Sequence, residues 1–200
     1  MSVLDNKKIS FIGGGNMAQA LISGLVSCGV KPSLITVADP SSEAREQLAA
    51  KGLNTVDPTA DAKAAVIGAD IVVLAVKPQV MKVVVSGFAD VLDTQLVISV
   101  AAGLSTALLS NMLGGYSNIV RAMPNTPAMI QMGATGLYGT DNISAEQKQL
   151  ATAVMERCPL LALAKYPALG RHDRRQCPHS SIRCSCPYTR ASPHKPFGFG

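Results

Sequence analysis

The chain has 200 residues, enough for one domain of ordinary size with an appendage. Its hydrophobic fraction of 48% and its lack of Trp predict a packed aliphatic core. No apolar run reaches the roughly 18 residues of a membrane-spanning helix, and the N-terminal sequence lacks the apolar core of a signal peptide. We therefore expect a cytoplasmic protein with no membrane contact.

The net charge of +5 is unevenly distributed along the chain. Residues 1–157 carry 11 basic and 12 acidic side chains, whereas residues 158–200 carry 7 basic side chains and 1 acidic one. All three His and four of the five Cys also lie in the second part. This change in composition predicts a folded domain over 1–157, followed by a basic, disordered tail over 158–200.

Strand-like and helix-like patterns alternate through residues 1–157. Short apolar runs predict strands at 9–12, 34–38, 54–56, 71–76, 96–100, 119–122 and 134–138. Amphipathic patterns and capping residues predict helices at 16–28, 44–50, 59–68, 80–88, 105–113 and 144–156. Strands and helices that alternate at this spacing predict the α/β class, with a doubly wound, mostly parallel sheet.

A glycine-rich turn joins the first predicted strand to the first helix. Residues 13–18 read GGGNMA and fit the pattern G-x-G-x-x-G/A. Gly13 allows a tight turn, Gly15 lets the backbone approach a pyrophosphate, and Ala18 permits close packing of helix on strand. Asp39 follows about 20 residues later, at the end of the second strand. The pattern predicts a dinucleotide site; the alternative is a turn that serves only the fold.

Three stretches are more specific than the glycines alone. They are 11–25 (FIGGGNMAQALISGL), 74–79 (LAVKPQ) and 120–138 (VRAMPNTPAMIQMGATGLY), with support from 98–105 (ISVAAGLS). Over about residues 6–157 this set resembles bacterial pyrroline-5-carboxylate reductase. The resemblance implies a Rossmann-type domain and hydride transfer from NADP or NAD in reduced form to the C=N bond of 1-pyrroline-5-carboxylate. The product, L-proline, is formed in the last step of proline biosynthesis.

The resemblance also implies a set of cofactor-binding residues. Those around the pyrophosphate are Gly13, Gly15, Asn16 and Met17, and those toward the ribose and nicotinamide are Ala75, Lys77, Pro78, Ala101, Gly103 and Asn125. Lys77 has an alternative interpretation as a solvated loop lysine.

The choice between NADP and NAD stays open in the sequence. A carboxylate at Asp39 favours a free ribose 2′-hydroxyl, hence NAD, and would repel a 2′-phosphate. Ser41, Ser42 and Arg45 lie close by in the sequence and could bind that phosphate. We include Asp39 and Ser41 among the predicted cofactor residues.

Hydride transfer to a C=N bond needs neither a protein nucleophile nor a metal, but an oriented nicotinamide and a proton source. Residues 1–157 resemble no catalytic triad and no metal-ligand cluster. In the family, a helical second domain supplies the substrate carboxylate site, the proton donor and the homo-oligomer contacts. Residues 158–200 resemble none of it, so we predict no catalytic residue in this chain, and poor turnover of its small-molecule substrate.

The tail itself allows other interpretations. A zinc site is one such interpretation, but Cys177, His179, Cys184 and Cys186, together with His172, miss the usual spacings. The excess of Arg and Lys is not accompanied by a nucleic-acid-binding motif, so we predict no nucleic-acid partner. The hypothesis that we favour is out-of-frame translation of a GC-rich gene over 158–200.

Two other functions fit the glycine turn. One is a different small Rossmann reductase that acts on imines or 2-hydroxyacids, although such enzymes lack the combination of 77–79 with 123–127. The other is a dinucleotide-binding module without catalytic activity. Cofactor binding without turnover would favour the module.

Overall fold

A computed structural model describes residues 3–124, 135–140 and 142–156. The chain divides into two units, Met1–Ala168 and Leu169–Gly200, and all the described residues belong to the first. The predicted tail at 158–200 and the predicted site residue Asn125 lie outside the described residues. The boundary at residue 157 stays a prediction.

Seven strands form one sheet in the order β3-β2-β1-β4-β5-β6-β7. The first six are parallel to one another, and β7 runs antiparallel to β6. The predicted doubly wound, mostly parallel sheet is therefore confirmed. The strands are β1 Ile9–Ile12, β2 Ile35–Ala38, β3 Asn54–Val56, β4 Ile71–Leu74, β5 Leu96–Ser99, β6 Ile119–Pro124 and β7 Thr135–Gly139.

Among the described residues, five α-helices lie between strands, and a sixth follows β7: α1 Asn16–Ser27, α2 Ser42–Ala49, α3 Pro58–Asp61, α4 Met81–Ser86, α5 Thr106–Met112 and α6 Ala145–Glu156. The helix predicted at 59–68 is wrong in length. It ends at Asp61, whose carboxylate accepts hydrogen bonds from the backbone N–H groups of Lys63 and Ala64 and so starts a separate 3₁₀ turn. The helix predicted at 80–88 is likewise shorter, and a second 3₁₀ turn follows it. In the described part of the chain, no helix is both long and apolar enough to cross a bilayer.

Both faces of the sheet are covered, so β1 and β4 are buried along their whole length. On one face, Phe11 packs in a cluster with Leu21 and Leu25 of α1 and Val154 of α6. On the other face, apolar residues of β4 and β5 pack with residues of α4 and α5. Phe88, which follows α4 in the chain, belongs to the same cluster. Continuous apolar strands are typical of parallel sheets with helices on both sides.

Side-chain caps fix where several helices begin. The Ser41 hydroxyl accepts from the N–H of Ala44 at the start of α2, and Ser105 does the same for α5. At α6, the Ser144 hydroxyl accepts from the N–H of Gln147, and the Gln147 side chain accepts from the N–H of Ser144. This reciprocal pair is a capping box.

Tyr116 ties the loop after α5 to the start of β5. Its hydroxyl donates to the carbonyl of Gln95 and lies 3.3 Å from that of Asp93. Burial raises the pKa of Tyr116 above its ordinary value, and the charge of Asp93 adds to the effect. Because the folded-state pKa is raised, this group's contribution to stability is present below about pH 10 and is lost as the pH rises through the folded pKa.

We expect Tyr116→Phe to lower the free energy of unfolding by about 1 kcal/mol at neutral pH, since the Gln95 carbonyl loses its donor. The variant should also lose less stability than the wild type between about pH 9 and pH 11. Urea unfolding across this range measures both effects. Tyr138→Phe is the control, since Tyr138 is exposed on β7. If the free energy of unfolding of Tyr116→Phe and of the wild type changed equally with pH, Tyr116 would not be the group whose raised pKa lowers stability at high pH.

Candidate functional site

Four adjacent strands end level with one another at the carboxyl edge of the sheet. The first residue after each of β2, β1, β4 and β5 donates its backbone N–H to the carbonyl of the last residue of the neighbouring strand. These bonds bring four segments that contain predicted site residues into one row. The bonds are Asp39 N–H to Val56 O (3.3 Å), Gly13 N–H to Ala38 O (2.8 Å), Ala75 N–H to Ile12 O (2.9 Å) and Val100 N–H to Leu74 O (3.1 Å). We call this row the carboxyl edge. The sheet order changes direction between β1 and β4, which is where ligands of such sheets bind.

Gly13 lets the turn after β1 pass very close to the end of β4. Its φ of +103° lies in the region that favours glycine. A Cβ at this position would lie 2.8 Å from the carbonyl oxygen of Ala75 and 3.0 Å from Val76 Cγ1. A side chain therefore has no room here, and Gly13 is required by the fold itself.

Gly15 faces the opposite situation. A Cβ on it would have no atom within 4 Å, and the residue is exposed. Gly15 caps α1 without a side-chain hydrogen bond, and the first turn contains no acidic residue. The other two helices of eight or more residues in the described part, α2 and α6, are both capped by side chains. The N-terminus of α1 therefore offers backbone N–H groups to open space, as a phosphate site requires.

Gly14 connects the glycine turn to β2. Its N–H donates to Asp39 Oδ2 at 2.8 Å, and its carbonyl accepts from the Gln19 side chain at 2.9 Å. A Cβ here would lie 3.1 Å from Leu48 Cδ1 and 3.2 Å from Asp39 Oδ2. Sequence reasoning missed Gly14 and Gln19, because the motif leaves the second of the three glycine positions unspecified.

The Asp39 carboxylate is held by two backbone donors. Oδ2 accepts from Gly14, and Oδ1 accepts from the N–H of Ser41 at 2.9 Å. The structure thus brings the predicted acidic residue into direct contact with the glycine turn. The carboxylate has a fixed position above the end of β2.

Arg45 lies beside this carboxylate but does not pair with it. Its Nη1 donates to the backbone carbonyl of Asp39 at 2.7 Å, and its Nη2 lies 3.0 Å from Asp57 Oδ2. Hydrogen bonds from Thr59, first from its hydroxyl, lower the pKa of Asp57, and Arg45 contributes to the same shift. Sequence reasoning missed Asp57; its position at the end of β3, beside β2, was the available signal.

The remaining predicted residues follow β4 and β5, which are neighbours in the sheet. Lys77 is exposed, in a turn where its carbonyl accepts from the N–H of Val80 at 3.1 Å. Ala101 is buried, and its N–H donates to the Ser99 hydroxyl at 3.3 Å. Gly103 has a φ of +78°. The carboxyl edge thus combines backbone N–H groups, one fixed carboxylate and one exposed ammonium group, and can bind an extended phosphate-containing ligand.

Alanine is expected to cost much more stability at Gly13 than at Gly15. We expect Gly13→Ala to lower the free energy of unfolding by about 3 kcal/mol, because it combines an unfavourable φ with a backbone clash. We expect Gly15→Ala, the matched control, to cost under about 1 kcal/mol, since its Cβ meets open space. Urea unfolding followed by circular dichroism measures both. Equal losses in the two variants would show that the close approach at Ala75 is not what requires Gly13.

Comparison with known proteins gives a consistent result. Residues 8–103 match a family model described as NADP oxidoreductase coenzyme F420-dependent. The pyrroline-5-carboxylate reductase of Pasteurella multocida is 44% identical over 158 residues, which cover 76% of this chain and 58% of that protein. That of Pseudomonas aeruginosa is 43% identical, over 74% of this chain and 54% of that protein. The chain therefore spans just over half the length of these curated relatives.

Solved structures agree with the sequence matches. A pyrroline-5-carboxylate reductase from Coxiella burnetii superposes with a TM-score of 0.74 and 39% identity, covering 80% of this chain and 59% of that one. The Plasmodium falciparum pyrroline carboxylate reductase, solved with NADP bound, superposes with a TM-score of 0.69 and 27% identity. The match covers 80% of this chain and 58% of that one. Over the residues that these alignments span, the chain is similar to pyrroline-5-carboxylate reductases.

Proposed function

We propose that the carboxyl edge binds NADPH or NADH, and that the chain is the cofactor-binding part of a pyrroline-5-carboxylate reductase. The observation that carries the proposal is the N-terminus of α1, which begins at an exposed glycine with no side-chain cap. A helix start of this kind, directly after a buried parallel strand, suits a pyrophosphate. The relatives' names supply the reaction, reduction of pyrroline-5-carboxylate, and the family resemblance implies that its product is L-proline.

The proposal gives each predicted site residue a place along the carboxyl edge. Gly13, Gly15, Asn16 and Met17 surround the pyrophosphate at the start of α1. Asp39 and Ser41, at the end of β2, contact the adenosine ribose. The remaining residues, toward the nicotinamide, are Ala75, Lys77, Pro78, Ala101, Gly103 and Asn125.

The chemistry follows from this division of roles. When bound, the reduced nicotinamide supplies the hydride that is transferred to the carbon of the C=N bond. Backbone at the ends of β4 and β5 orients the nicotinamide ring, and the start of α1 anchors the pyrophosphate, so that the reacting carbon is held in position. Lys77, an exposed cation in the same row, contacts the cofactor or the substrate.

Three further parts of the proposal come from the family resemblance. The substrate carboxylate site and the proton donor belong to the family's second domain, and so does the surface through which subunits form a homo-oligomer. We place the protein in the cytoplasm. Sedimentation velocity tests whether the 200-residue chain associates.

Cofactor binding is the first test of the proposal. We expect the purified 200-residue chain to bind NADPH or NADH, and Gly15→Ala to weaken that binding about tenfold, because the added methyl group stands where the phosphate approaches. Titration followed by nicotinamide fluorescence measures the affinity. Unfolding of Gly15→Ala, measured in parallel, shows that the variant is folded. Failure of the wild-type chain to bind either cofactor would refute the proposal.

The second test is turnover with 1-pyrroline-5-carboxylate, followed by the absorbance of the reduced cofactor. We expect the 200-residue chain to bind cofactor and to turn over slowly, because residues 158–200 do not resemble the family's substrate-binding domain. Turnover at the rate of ordinary enzymes would contradict this assignment of the substrate site. Binding with no turnover at all would favour a dinucleotide-binding module without catalytic activity.

A further inference from the structure

We propose that this chain discriminates in favour of NADH over NADPH, with Asp39 as the residue that determines the preference. The inference rests on the proposed function, since it assumes a dinucleotide at the carboxyl edge. It concerns the adenosine ribose, where NADPH carries a 2′-phosphate and NADH a hydroxyl group. The sequence leaves the two cofactors open, and the contacts around Asp39 favour one of them.

The first argument is that the Asp39 carboxylate cannot turn away from a ligand. Its two oxygens are anchored separately, Oδ2 by the N–H of Gly14 at 2.8 Å and Oδ1 by the N–H of Ser41 at 2.9 Å. Each carboxylate oxygen can accept more than one hydrogen bond, so the group can still accept from a ribose hydroxyl. A 2′-phosphate in the same place would meet a fixed negative charge.

The second argument is that the nearby cation is already engaged. Arg45 is the residue of this region that could bind a 2′-phosphate by charge. Its Nη1 donates to the Asp39 carbonyl, its Nη2 pairs with Asp57, and its side chain is only 20% exposed. The charge of Arg45 is thus already balanced by Asp57, a carboxylate that Thr59 also stabilises.

The third argument concerns the start of α2, which follows Asp39 directly. The Ser41 hydroxyl caps this helix by accepting from the N–H of Ala44, so its lone pairs and the first-turn N–H groups are already partly used. Glu43 lies in the first turn. The charged groups that the hydrogen bonds and the ion pair join at this position are thus two carboxylates, those of Asp39 and Asp57, and one guanidinium. This balance repels a phosphate and tolerates a hydroxyl.

The test is a pair of fluorescence titrations of the full 200-residue chain with NADH and with NADPH at the same moderate ionic strength. We expect NADH to bind at least about tenfold more tightly. Equal affinity, or tighter binding of NADPH, would overturn the inference and leave the proposed function standing. Binding of neither cofactor would overturn both, so the two failures are distinguishable.

Two variants test the mechanism of the preference. Asp39→Ser removes the fixed charge and should shift the NADPH-to-NADH affinity ratio toward NADPH by about tenfold. Asp57→Asn frees Arg45 and should shift it in the same direction by about threefold, while Asn still caps α3. If Asp39→Ser unfolds because it loses the hydrogen bond from the Gly14 N–H, Asp57→Asn still tests the mechanism.

Asp90→Asn is the matched control, because it also removes one negative charge, from a carboxylate that pairs with Lys63. It should leave the affinity ratio unchanged. A shift in at least one of the two test variants, with none in the control, supports the inference. No shift in either test variant, or an equal shift in the control, would overturn it.

Discussion

The close approach of two backbones at the carboxyl edge determines where everything else in the site lies. Gly13 leaves β1 so near to the end of β4 that a single carbon atom would contact the Ala75 carbonyl oxygen at 2.8 Å. Because the turn after β1 lies so close to the sheet, α1 begins at the sheet edge and packs across one face. There Leu21 and Leu25 belong to the same buried cluster as Phe11 of β1. The core thereby fixes the position and direction of the helix whose first turn faces the proposed ligand.

Each of the three consecutive glycines has a different physical reason for lacking a side chain. Gly13 is restricted by its backbone angle and by β4, and Gly14 by contacts with Leu48 and the Asp39 carboxylate. Gly15 has open space around it. A sequence motif treats them as one feature, yet of the three only Gly15 is exposed. The fold uses the first two to join β1, β2 and β4 into one rigid edge.

Much of this could be read from the sequence, because alternating short strands and helices permit few arrangements other than a doubly wound sheet. The caps at Ser41, Ser105 and Ser144 were also predictable, since each depends on residues three positions apart. The ion pair of Arg45 with Asp57 was not predictable, because its partners meet only through the parallel pairing of β2 with β3. The break after Asp61 was missed for a related reason: apolar spacing alone does not show that an aspartate will bond the N–H groups that follow it.

The bare start of α1 has a consequence for how this protein can evolve. A serine or aspartate at Gly15 would cap the helix and stabilise the folded chain by a few tenths of a kcal/mol. The same side chain would compete for the donors that a phosphate needs. Stability and binding therefore make opposing demands on one residue, and a search for thermostable variants would select substitutions there at the expense of function. A dinucleotide bound as we propose would itself cap the helix, so the stability of the fold would rise with cofactor concentration.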